Sequence, residues 1–457
     1  MIDTILTIIP PWVIIALVVF GVVNGLTAYL ILLERKIASW VQDRIGPNRV
    51  GPQGLLQPLA DGLKMFMKED YRSPNTDKWL FSLAPILMTL VVVTALAVIP
   101  WGGIYQGTTT YAASLATAPI PLGSELFGKP VAVGDGSQMK ATYRFAFQIA
   151  DVNIGILFAV AVLSIAVYGI VFGAWGSNNK FAFFGGMRAA AQMISYEVPL
   201  GLSILTIVLM TGTLNLGDIC SSQAHSWMGI VPAWNIFCQP MAFVMFLICL
   251  HAEANRAPFD LAECEQELVG GYHTEFTSMR LGLLLLGEYT EMVVTSGILV
   301  ALFLGGWHFP GLTGDADALN PAVTTNQWIV AVRCFVYFMK ILGVISLFMW
   351  VRWSLPRFRY DQLMNLSWRA MVPIALFTMM GTAIVVYLLP SGMTPRFAVV
   401  GGKQALALLG MNVVLLGMFA VAAKFLPKQK INKRLVIPGS RYGNETAQQL
   451  VPASQAQ

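Results

Sequence analysis

Charged residues are scarce in this chain: only 12% of its 457 residues are Asp, Glu, Lys or Arg, whereas 56% are apolar. Its five cysteines include no CxxC pair and its four histidines lack metal-ligand spacing, so we expect no metal site and no iron–sulfur cluster in this chain alone. No Walker A sequence occurs, and no GxGxxG fingerprint opens a helix after a strand. The sequence therefore predicts neither a redox centre nor catalytic residues in this chain by itself.

Long apolar segments fill most of the chain, whose mean hydropathy is +0.65. A hydrocarbon core of ~30 Å requires about 20 apolar residues in one helix. Nine segments reach this length, at residues 12–33, 79–100, 151–173, 189–211, 230–252, 281–304, 328–351, 370–390 and 404–425. We predict an all-α polytopic membrane helix bundle of about nine transmembrane helices. It would form one integral membrane domain at 1–427, followed by a disordered polar cytoplasmic tail at 428–457.

The loops between these segments alternate in charge. Those on one side carry 22 Lys and Arg residues, and those on the other side carry 5. The positive-inside rule then places the N-terminus outside and the C-terminus in the cytoplasm. The net charge of +5 follows from these loops, so the lipid bilayer is an expected partner and nucleic acid is not.

The first cytoplasmic loop contains a pattern typical of a different kind of helix. Near residues 54–67, apolar side chains recur at intervals of three and four, at Leu55, Leu56, Leu59, Leu63, Phe66 and Met67. This spacing predicts an amphipathic helix that lies at the membrane interface. Asp61, Lys64 and Lys68 would share its polar side.

Carboxylates crowd into residues 251–275, which we name the acidic loop. This stretch holds six of the 24 Asp and Glu residues of the chain, namely Glu253, Asp260, Glu263, Glu265, Glu267 and Glu275. Carboxylates beside hydrocarbon are costly unless they face protein or water. Only Arg256 and Arg280 are nearby cations, so several of these acids should have raised pKa values that suit proton transfer. The alternative is a solvated acidic loop that faces the cytoplasm.

Ionisable residues also occur inside the apolar segments, at Glu197, Glu288, Glu291 and Lys340. Buried ion pairs that only fix helix packing, for example Glu291 with Lys340, would explain any one of them. For the whole set of acids, a continuous polar path is favoured. In the first inner loop, Arg35, Arg44 and Asp61 are interpreted as lining a chamber or docking a partner rather than as membrane anchors.

Five long motifs carry a resemblance to a known family. They read ERKIASWVQDRIGPNRVGPQGLLQPLADGLKMFMKE, GGMRAAAQMISYEV, EANRAPFDLAECEQELVGGYHTEF, GEYTEM and PRFRYDQLM. In this order they resemble the quinone-site membrane subunit of proton-pumping respiratory complex I, the H subunit of bacterial NADH:quinone oxidoreductase. The resemblance covers about residues 12 to 390. The sequence departs from the family pattern at Cys264, Gln266 and Phe276, in the length of the segment 101–148, and in its ninth span.

The resemblance implies a function that spacing alone does not show. It implies a translocase subunit that forms part of a quinone chamber and couples quinone reduction to proton translocation. Quinone would be its substrate, and FMN and iron–sulfur clusters would reside on partner subunits. Its partners would be peripheral-arm iron–sulfur and quinone-site subunits, together with small and antiporter-like membrane-arm subunits. The resemblance implies a multi-pass protein of the bacterial inner membrane.

The resemblance also assigns roles to particular residues. Chamber positions match Arg35, Arg44, Asp61 and Arg256. Positions of an acidic proton path match Glu197, Glu253, Asp260, Glu263, Glu265, Glu267 and Glu288. Three alternatives stay open at this point: the membrane subunit of an energy-converting hydrogenase, a stand-alone ion-coupled transporter, and a membrane anchor for a soluble enzyme.

Overall fold

The computed structural model describes residues 11–112, 125–126, 131–133, 138–227, 231–313, 323–390, 392–393 and 397–425. Its α-helices are α1 Pro11–Val41, α2 Gln57–Met67, α3 Lys78–Leu96, α4 Gly155–Ser164, α5 Ala166–Gly176, α6 Lys180–Thr211, α7 Leu216–Ser222, α8 Asn235–Cys238, α9 Pro240–Glu253, α10 Glu265–Leu268, α11 Ser278–Phe303, α12 Gln327–Ser354, α13 Tyr360–Asn365, α14 Val372–Leu388 and α15 Gly402–Phe425. A π-helical segment, Leu366–Met371, joins α13 to α14. The chain divides into two compact units, Met1–Leu415 and Leu416–Gln457, and the contacts that follow lie in the first. The predicted tail 428–457 lies outside the described residues.

The predicted fold class, an all-α polytopic membrane bundle, is confirmed. Within the described residues, eight helical spans are long and apolar enough to cross a membrane. The remaining predicted span, 230–252, is instead broken into the short helices α8 and α9. Pro240 has no amide hydrogen to donate, and Gln239 before it adopts non-helical angles (φ −132°, ψ 61°), so the helix restarts there.

The amphipathic helix predicted near 54–67 corresponds to α2. Its apolar side chains are exposed on this chain, with 64% of Leu59, 71% of Phe66 and 87% of Met67 accessible. Such a row of exposed apolar side chains suits a helix that rests on lipid. We call the end of the bundle that carries α2 and the acidic loop the inner end, following the charge prediction.

The segment 101–148, which the sequence presents only as a long loop, contributes a small sheet. The strands of this sheet are β1 Ile104–Ala112, β2 Glu125–Leu126, β3 Val131–Val133 and β4 Gln138–Ala146, together with β7 Val323–Thr324 from a later segment. Four other two-residue strands form two separate pairs: β5 Ser226–Trp227 with β6 Val231–Pro232, and β8 Gly392–Met393 with β9 Ala398–Val399. Strands β1 and β4 pair antiparallel from Ile104 opposite Ala146 to Ala112 opposite Gln138. The order is β2-β4-β1-β7, and β3 also pairs with β4. Threonine and tyrosine are frequent in β1 and β4, and both favour strands.

Helix α11 lies at the centre of the bundle. Every residue from Gly287 to Phe303 is buried, and the helix contacts α1, α2, α3 and α12. Lipid therefore cannot reach Glu288 or Glu291, which this helix carries. Their surroundings are set by protein, so the cost of placing carboxylates in the bundle is decided by the side chains around them.

The acidic loop is held against α6 by close backbone packing. Gly271 adopts a left-handed conformation (φ +61°), and a Cβ atom there would lie 1.7 Å from the carbonyl oxygen of Ala262. Gly185 of α6 leaves space on the other side, since its Cβ would lie 2.9 Å from the amide nitrogen of Tyr272. The loop therefore depends on glycine at both positions.

We predict that Gly271→Ala strongly destabilises the protein, because it adds a backbone clash to the cost of a positive φ. The expected loss of stability is on the order of 3 kcal/mol or more. Gly212→Ala is the matched control, since Gly212 also has a positive φ (+68°) but nothing within 4 Å of its Cβ position. Melting temperatures of the two variants in detergent should differ clearly; equal values would show that the loop relaxes around the methyl group.

Candidate functional site

A cavity of about 690 Å³ lies at the inner end, between α1, α2 and α11. Its polar lining comprises Glu34, Arg35, Ser39, Arg44, Asp61, Lys64, Lys68 and Ser278. Its apolar lining comprises Ile31, Ala38, Pro47, Met65, Leu281, Leu285, Tyr289 and Trp353. A volume of this size suits a small organic ligand, and the mixed lining offers both apolar contact and hydrogen-bond donors. We call this cavity the chamber.

An ion pair separates the chamber from a smaller space. Arg35 Nη1 lies 2.7 Å from Asp61 Oδ2, and Gln57 Nε2 donates to Asp61 Oδ1 at 3.1 Å. A second cavity of about 140 Å³ is also lined by Arg35 and Asp61. The structure thus brings Arg35, Arg44 and Asp61, all from the predicted chamber set, to the wall of one cavity.

Glu34 is a chamber residue that the sequence analysis did not select. It is buried, accepts a hydrogen bond from the Tyr289 hydroxyl at 2.5 Å, and forms an ion pair with Arg352. These three residues come from three different spans. A usable signal was present, since Glu34 is a carboxylate at the end of an apolar segment, where the cost of burial requires partners.

Arg256 stands directly behind the chamber wall. Its guanidinium carbon lies 4.3 Å from the centroid of the Tyr289 ring, and its Nη2 lies 3.5 Å from Glu288 Oε2. Only 5% of Arg256 is exposed. It does not line the chamber itself, but it joins a ring of the chamber wall to the first buried carboxylate of α11.

Two further groups of the acidic loop, Tyr272 and Glu263, converge on Glu288 near this point. The hydroxyl of Tyr272 donates a hydrogen bond to Glu288, and Glu263 lies close enough for its charge to act on Glu288 as well. Burial, reinforced by the negative charge of Glu288, raises the pKa of Glu263 to about 7. A carboxyl with this pKa can hold or release a proton near neutral pH.

Asp260 belongs to a neighbouring ion pair. Arg357 Nη2 lies 2.7 Å from Asp260 Oδ2. Burial and the nearby charge of Glu263 raise the pKa of Asp260, and the Arg357 guanidinium counteracts part of that rise. The amide of Phe358 also donates to the Pro258 carbonyl at 3.2 Å, so the inner loop after α12 fixes this part of the acidic loop.

Deeper in the bundle, further carboxylates continue the series. The charges of Glu253 and Glu288 both act on Glu291, which is buried. Glu253 and Glu197 in turn line one small cavity together with Ser164 and Tyr196, and the Ser164 hydroxyl donates to Glu197. The carboxylates from the chamber wall to Glu197 therefore form a connected electrostatic series.

Other carboxylates of the acidic loop are placed differently, and of these Glu265 and Glu267 belong to the predicted path. Glu267 is exposed and pairs with Arg188, with Nη1 2.6 Å from Oε2. Glu275 accepts from Asn179 Nδ2 at 2.9 Å. Glu265 lies in α10, but its side chain is outside the described part of the structure. Among the residues described, no group of three or more His, Cys, Asp or Glu is placed to hold a metal ion.

The suggested pairing of Lys340 with Glu291 is wrong. The Lys340 ammonium donates to the carbonyl oxygens of Leu304 at 2.6 Å, Gly306 at 3.0 Å and His308 at 2.7 Å. These carbonyls follow the C-terminal end of α11, where a helix leaves acceptors unsatisfied and favours a cation. Sequence spacing could not reveal this, because the acceptors are backbone atoms of an irregular turn.

The fold and this charged interior define a polytopic membrane protein whose distinctive chemistry resides in buried ionisable side chains next to a ligand-sized chamber. A family model described as NADH dehydrogenase matches residues 13–383, so the chain belongs to that family. The recognition made from the sequence motifs is thereby confirmed.

Three relatives share one name, the H subunit of NADH-quinone oxidoreductase. The relative from Flavobacterium johnsoniae is 43% identical over 373 residues, which is 82% of this chain and 94% of that protein. A relative from Geobacter metallireducens is 43% identical over 371 residues, covering 81% of this chain and 94% of that protein. A relative from Leptospira biflexa is 41% identical over 375 residues, covering 82% and 94%.

We predict that Glu263→Gln makes the protein less sensitive to alkaline pH. Because the pKa of Glu263 rises from 4.5 to about 7 on folding, the folded state binds this proton more tightly than the unfolded state. The contribution of the protonated Glu263 carboxyl to the stability of the fold is therefore fully present below about pH 4.5, and it is lost as pH rises through 7. The variant should gain up to ~3 kcal/mol relative to the parent at pH 8.

Melting temperatures measured at pH 5 and pH 8 test this. At pH 5 the native carboxyl is protonated and resembles an amide, so the substitution should change the melting temperature very little. The measurement at pH 5 is therefore the control for the measurement at pH 8. A difference between variant and parent that is the same at both pH values would contradict the raised pKa.

Proposed function

We propose that this chain forms the membrane-side part of a quinone site and couples quinone reduction to proton translocation. The observation that carries the proposal is the contact series from the chamber into the bundle: Tyr289 in the chamber wall, Arg256 behind it, and Glu288 beyond. Electrons would come from iron–sulfur clusters and FMN on partner subunits. This chain would contribute binding surface, charge and protonatable groups.

The lining of the chamber suits a quinone. A quinone ring is flat and apolar, and its two carbonyl oxygens accept hydrogen bonds and gain negative charge on reduction. The chamber offers apolar contact from Leu281, Leu285 and Trp353, and cationic donors such as Arg35 and Lys64. Donors placed where negative charge develops stabilise that charge in a water-poor site.

The carboxylate series would respond to that charge. Reduction gives the quinone negative charge until protons neutralise it. That charge in the chamber would raise the proton affinity of the acids behind the chamber wall. Arg256 lies between the chamber and Glu288. Glu263 interacts with Arg256 and with Glu288. The proposed proton path runs through the predicted set, from Glu263 and Glu288 towards Glu253 and Glu197, with Glu291 as an added member. Coupled carboxylates such as these titrate as a group.

Partner subunits are part of the proposal. Glu197 lies inside the span α6 and is exposed on the surface of this chain, and a carboxylate facing lipid is costly. A neighbouring small membrane-arm subunit that covers it would remove this cost, and antiporter-like subunits would extend the arm. Arg188, which is partly buried, and Glu267, which is exposed, lie at the inner end and would lie towards the peripheral iron–sulfur and quinone-site subunits. The matched relatives are bacterial, which supports the bacterial inner membrane as its location.

The alternatives account for less of the structure. A membrane anchor does not explain buried acids in series, and a stand-alone transporter does not explain a chamber at one end of the bundle. The relatives are named as subunits of a quinone enzyme, which favours that enzyme over a hydrogenase. The two predictions that follow separate these interpretations.

Filling the chamber should block quinone reduction without blocking electron input. Ala38 lines the chamber, and Ala38→Phe would place an aromatic ring in the ligand space. We expect quinone reduction by the purified complex to fall at least about tenfold, while NADH oxidation with a water-soluble artificial acceptor stays normal. Leu59→Phe, on the exposed face of α2, is the control. Equal activity of both variants would place the quinone elsewhere.

Removing the charge of Glu288 should uncouple the enzyme. In Glu288→Gln the amide still accepts from Tyr272 but cannot carry a proton as a carboxyl does. We expect proton pumping into sealed vesicles to fall by about tenfold or more. Glu275→Gln, at the carboxylate bonded to Asn179, is the matched control. Normal pumping by Glu288→Gln in a fully assembled complex would favour the anchor interpretation.

A further inference from the structure

We infer that Ser367 is a positioning residue for Glu197, acting through a backbone carbonyl that Pro199 leaves without its helical partner. The inference rests on the proposed role of Glu197 in proton transfer. It concerns a contact between α6 and the π-helical segment Leu366–Met371, and it assigns a role to residues that carry no charge and line no chamber.

The first step is the proline inside α6. In an α-helix the amide of residue 199 would donate to the carbonyl of residue 195. Pro199 has no amide hydrogen, so the carbonyl of Ser195 loses its helical partner two residues before Glu197. Ser195 is 7% exposed, and a buried carbonyl inside a membrane must find a partner within the protein.

The second step is the partner that the structure supplies. The Ser367 hydroxyl donates to the Ser195 carbonyl oxygen at 2.7 Å, and Ser367 is fully buried. Two more hydrogen bonds join α6 to residues 363–368, one in this segment and one in α13 directly before it. Trp368 Nε1 donates to the Ser195 hydroxyl at 3.3 Å, and the Tyr196 hydroxyl donates to the Leu363 carbonyl at 3.0 Å.

The third step is the reason that Ser367 points this way. The amide of Val372 donates to the carbonyl of Ser367, five residues earlier, which is the wide π-helical pattern. Pro373 follows in the first turn of α14 and cannot donate to the preceding turn. A widened turn on one helix therefore meets a proline-interrupted turn on the other, and the widened turn supplies the donor that the Ser195 carbonyl lacks.

The fourth step links this contact to the carboxylate. Glu197 directly follows Tyr196, and its oxygen accepts from Ser164 in the small cavity that it shares with Glu253. Ser195, Tyr196 and Glu197 share one turn of α6, so the position of the Glu197 side chain follows the backbone of that turn. The hydrogen bonds of the Ser195 carbonyl and the Tyr196 hydroxyl hold this turn in place, and so keep Glu197 towards Ser164 and Glu253.

The test uses the intact complex in sealed vesicles and measures the number of protons pumped per quinone reduced. Loss of one buried hydrogen bond changes the population ratio of two orientations about fivefold, so Ser367→Ala should lower the pumping ratio by up to that factor, and Ser367→Thr, which keeps the hydroxyl, should restore it. Ser203→Ala is the matched control, because Ser203 lies buried on α6 and donates only within its own helix, to the Leu200 carbonyl.

A double variant makes the test specific to the carbonyl. Pro199→Ala returns an amide to position 199, so the Ser195 carbonyl regains a helical partner and no longer depends on Ser367. In that background, Ser367→Ala should change the ratio less than about twofold. The inference is overturned if Ser367→Ala has the same effect with and without Pro199, or if it lowers complex assembly and leaves the ratio unchanged.

Glu197→Gln, measured in the same vesicles, distinguishes a failure of the proposed role of Glu197 from a failure of the positioning role of Ser367. A normal ratio in this variant would remove Glu197 from the proton path and with it the basis of the inference. A lowered ratio in Glu197→Gln with a normal ratio in Ser367→Ala would leave the proposed function standing and reject only the positioning role.

Discussion

The guanidinium of Arg256 is the interaction on which the charged interior depends. It packs against the Tyr289 ring at 4.3 Å and faces Glu288 at 3.5 Å, and the charges of Glu34 and Glu263 act on it as well. Carboxylates buried together repel one another and lose hydration. One buried cation among them makes the cluster possible, and it also makes each acid sensitive to any charge that appears near Tyr289.

This arrangement explains why the acids are distributed over several elements. Glu34 comes from α1, Glu288 and Glu291 from α11, and Glu263 from the acidic loop. If one segment carried them all, a local movement would shift them together. Because separate elements carry them, a change in protonation at one site would alter the forces between those elements, and packed elements transmit such forces through contacts that are close to rigid.

Much of this could be predicted from the sequence, because the physical signals were local. Apolar length predicted the spans, a spacing of three and four predicted α2, and the cost of carboxylates near lipid pointed to Glu288 and to the acidic loop. The pairing of residues was not predictable. Glu34 meets Arg352 across 318 positions and Tyr289 across 255 positions, and no local pattern encodes such contacts. The strands of 101–148 were not predicted because the glycine, proline and alanine of that segment are typical of loops, although its threonine and tyrosine favour strands.

The polar residues within the spans fall into two groups with different physical duties. One group satisfies backbone groups at irregular points: Lys340 binds the carbonyls after α11, and Asn412 donates to the Cys238 carbonyl at 3.1 Å where α8 meets α9. The other group is titratable and lies among other charged side chains, as Glu288 and Glu291 do. Both groups are explained by the absence of water in the bilayer, where an unpaired carbonyl and an unpaired charge are each costly. Sequence position alone treats them alike, which is why Lys340 was paired with an acid instead of with a helix end.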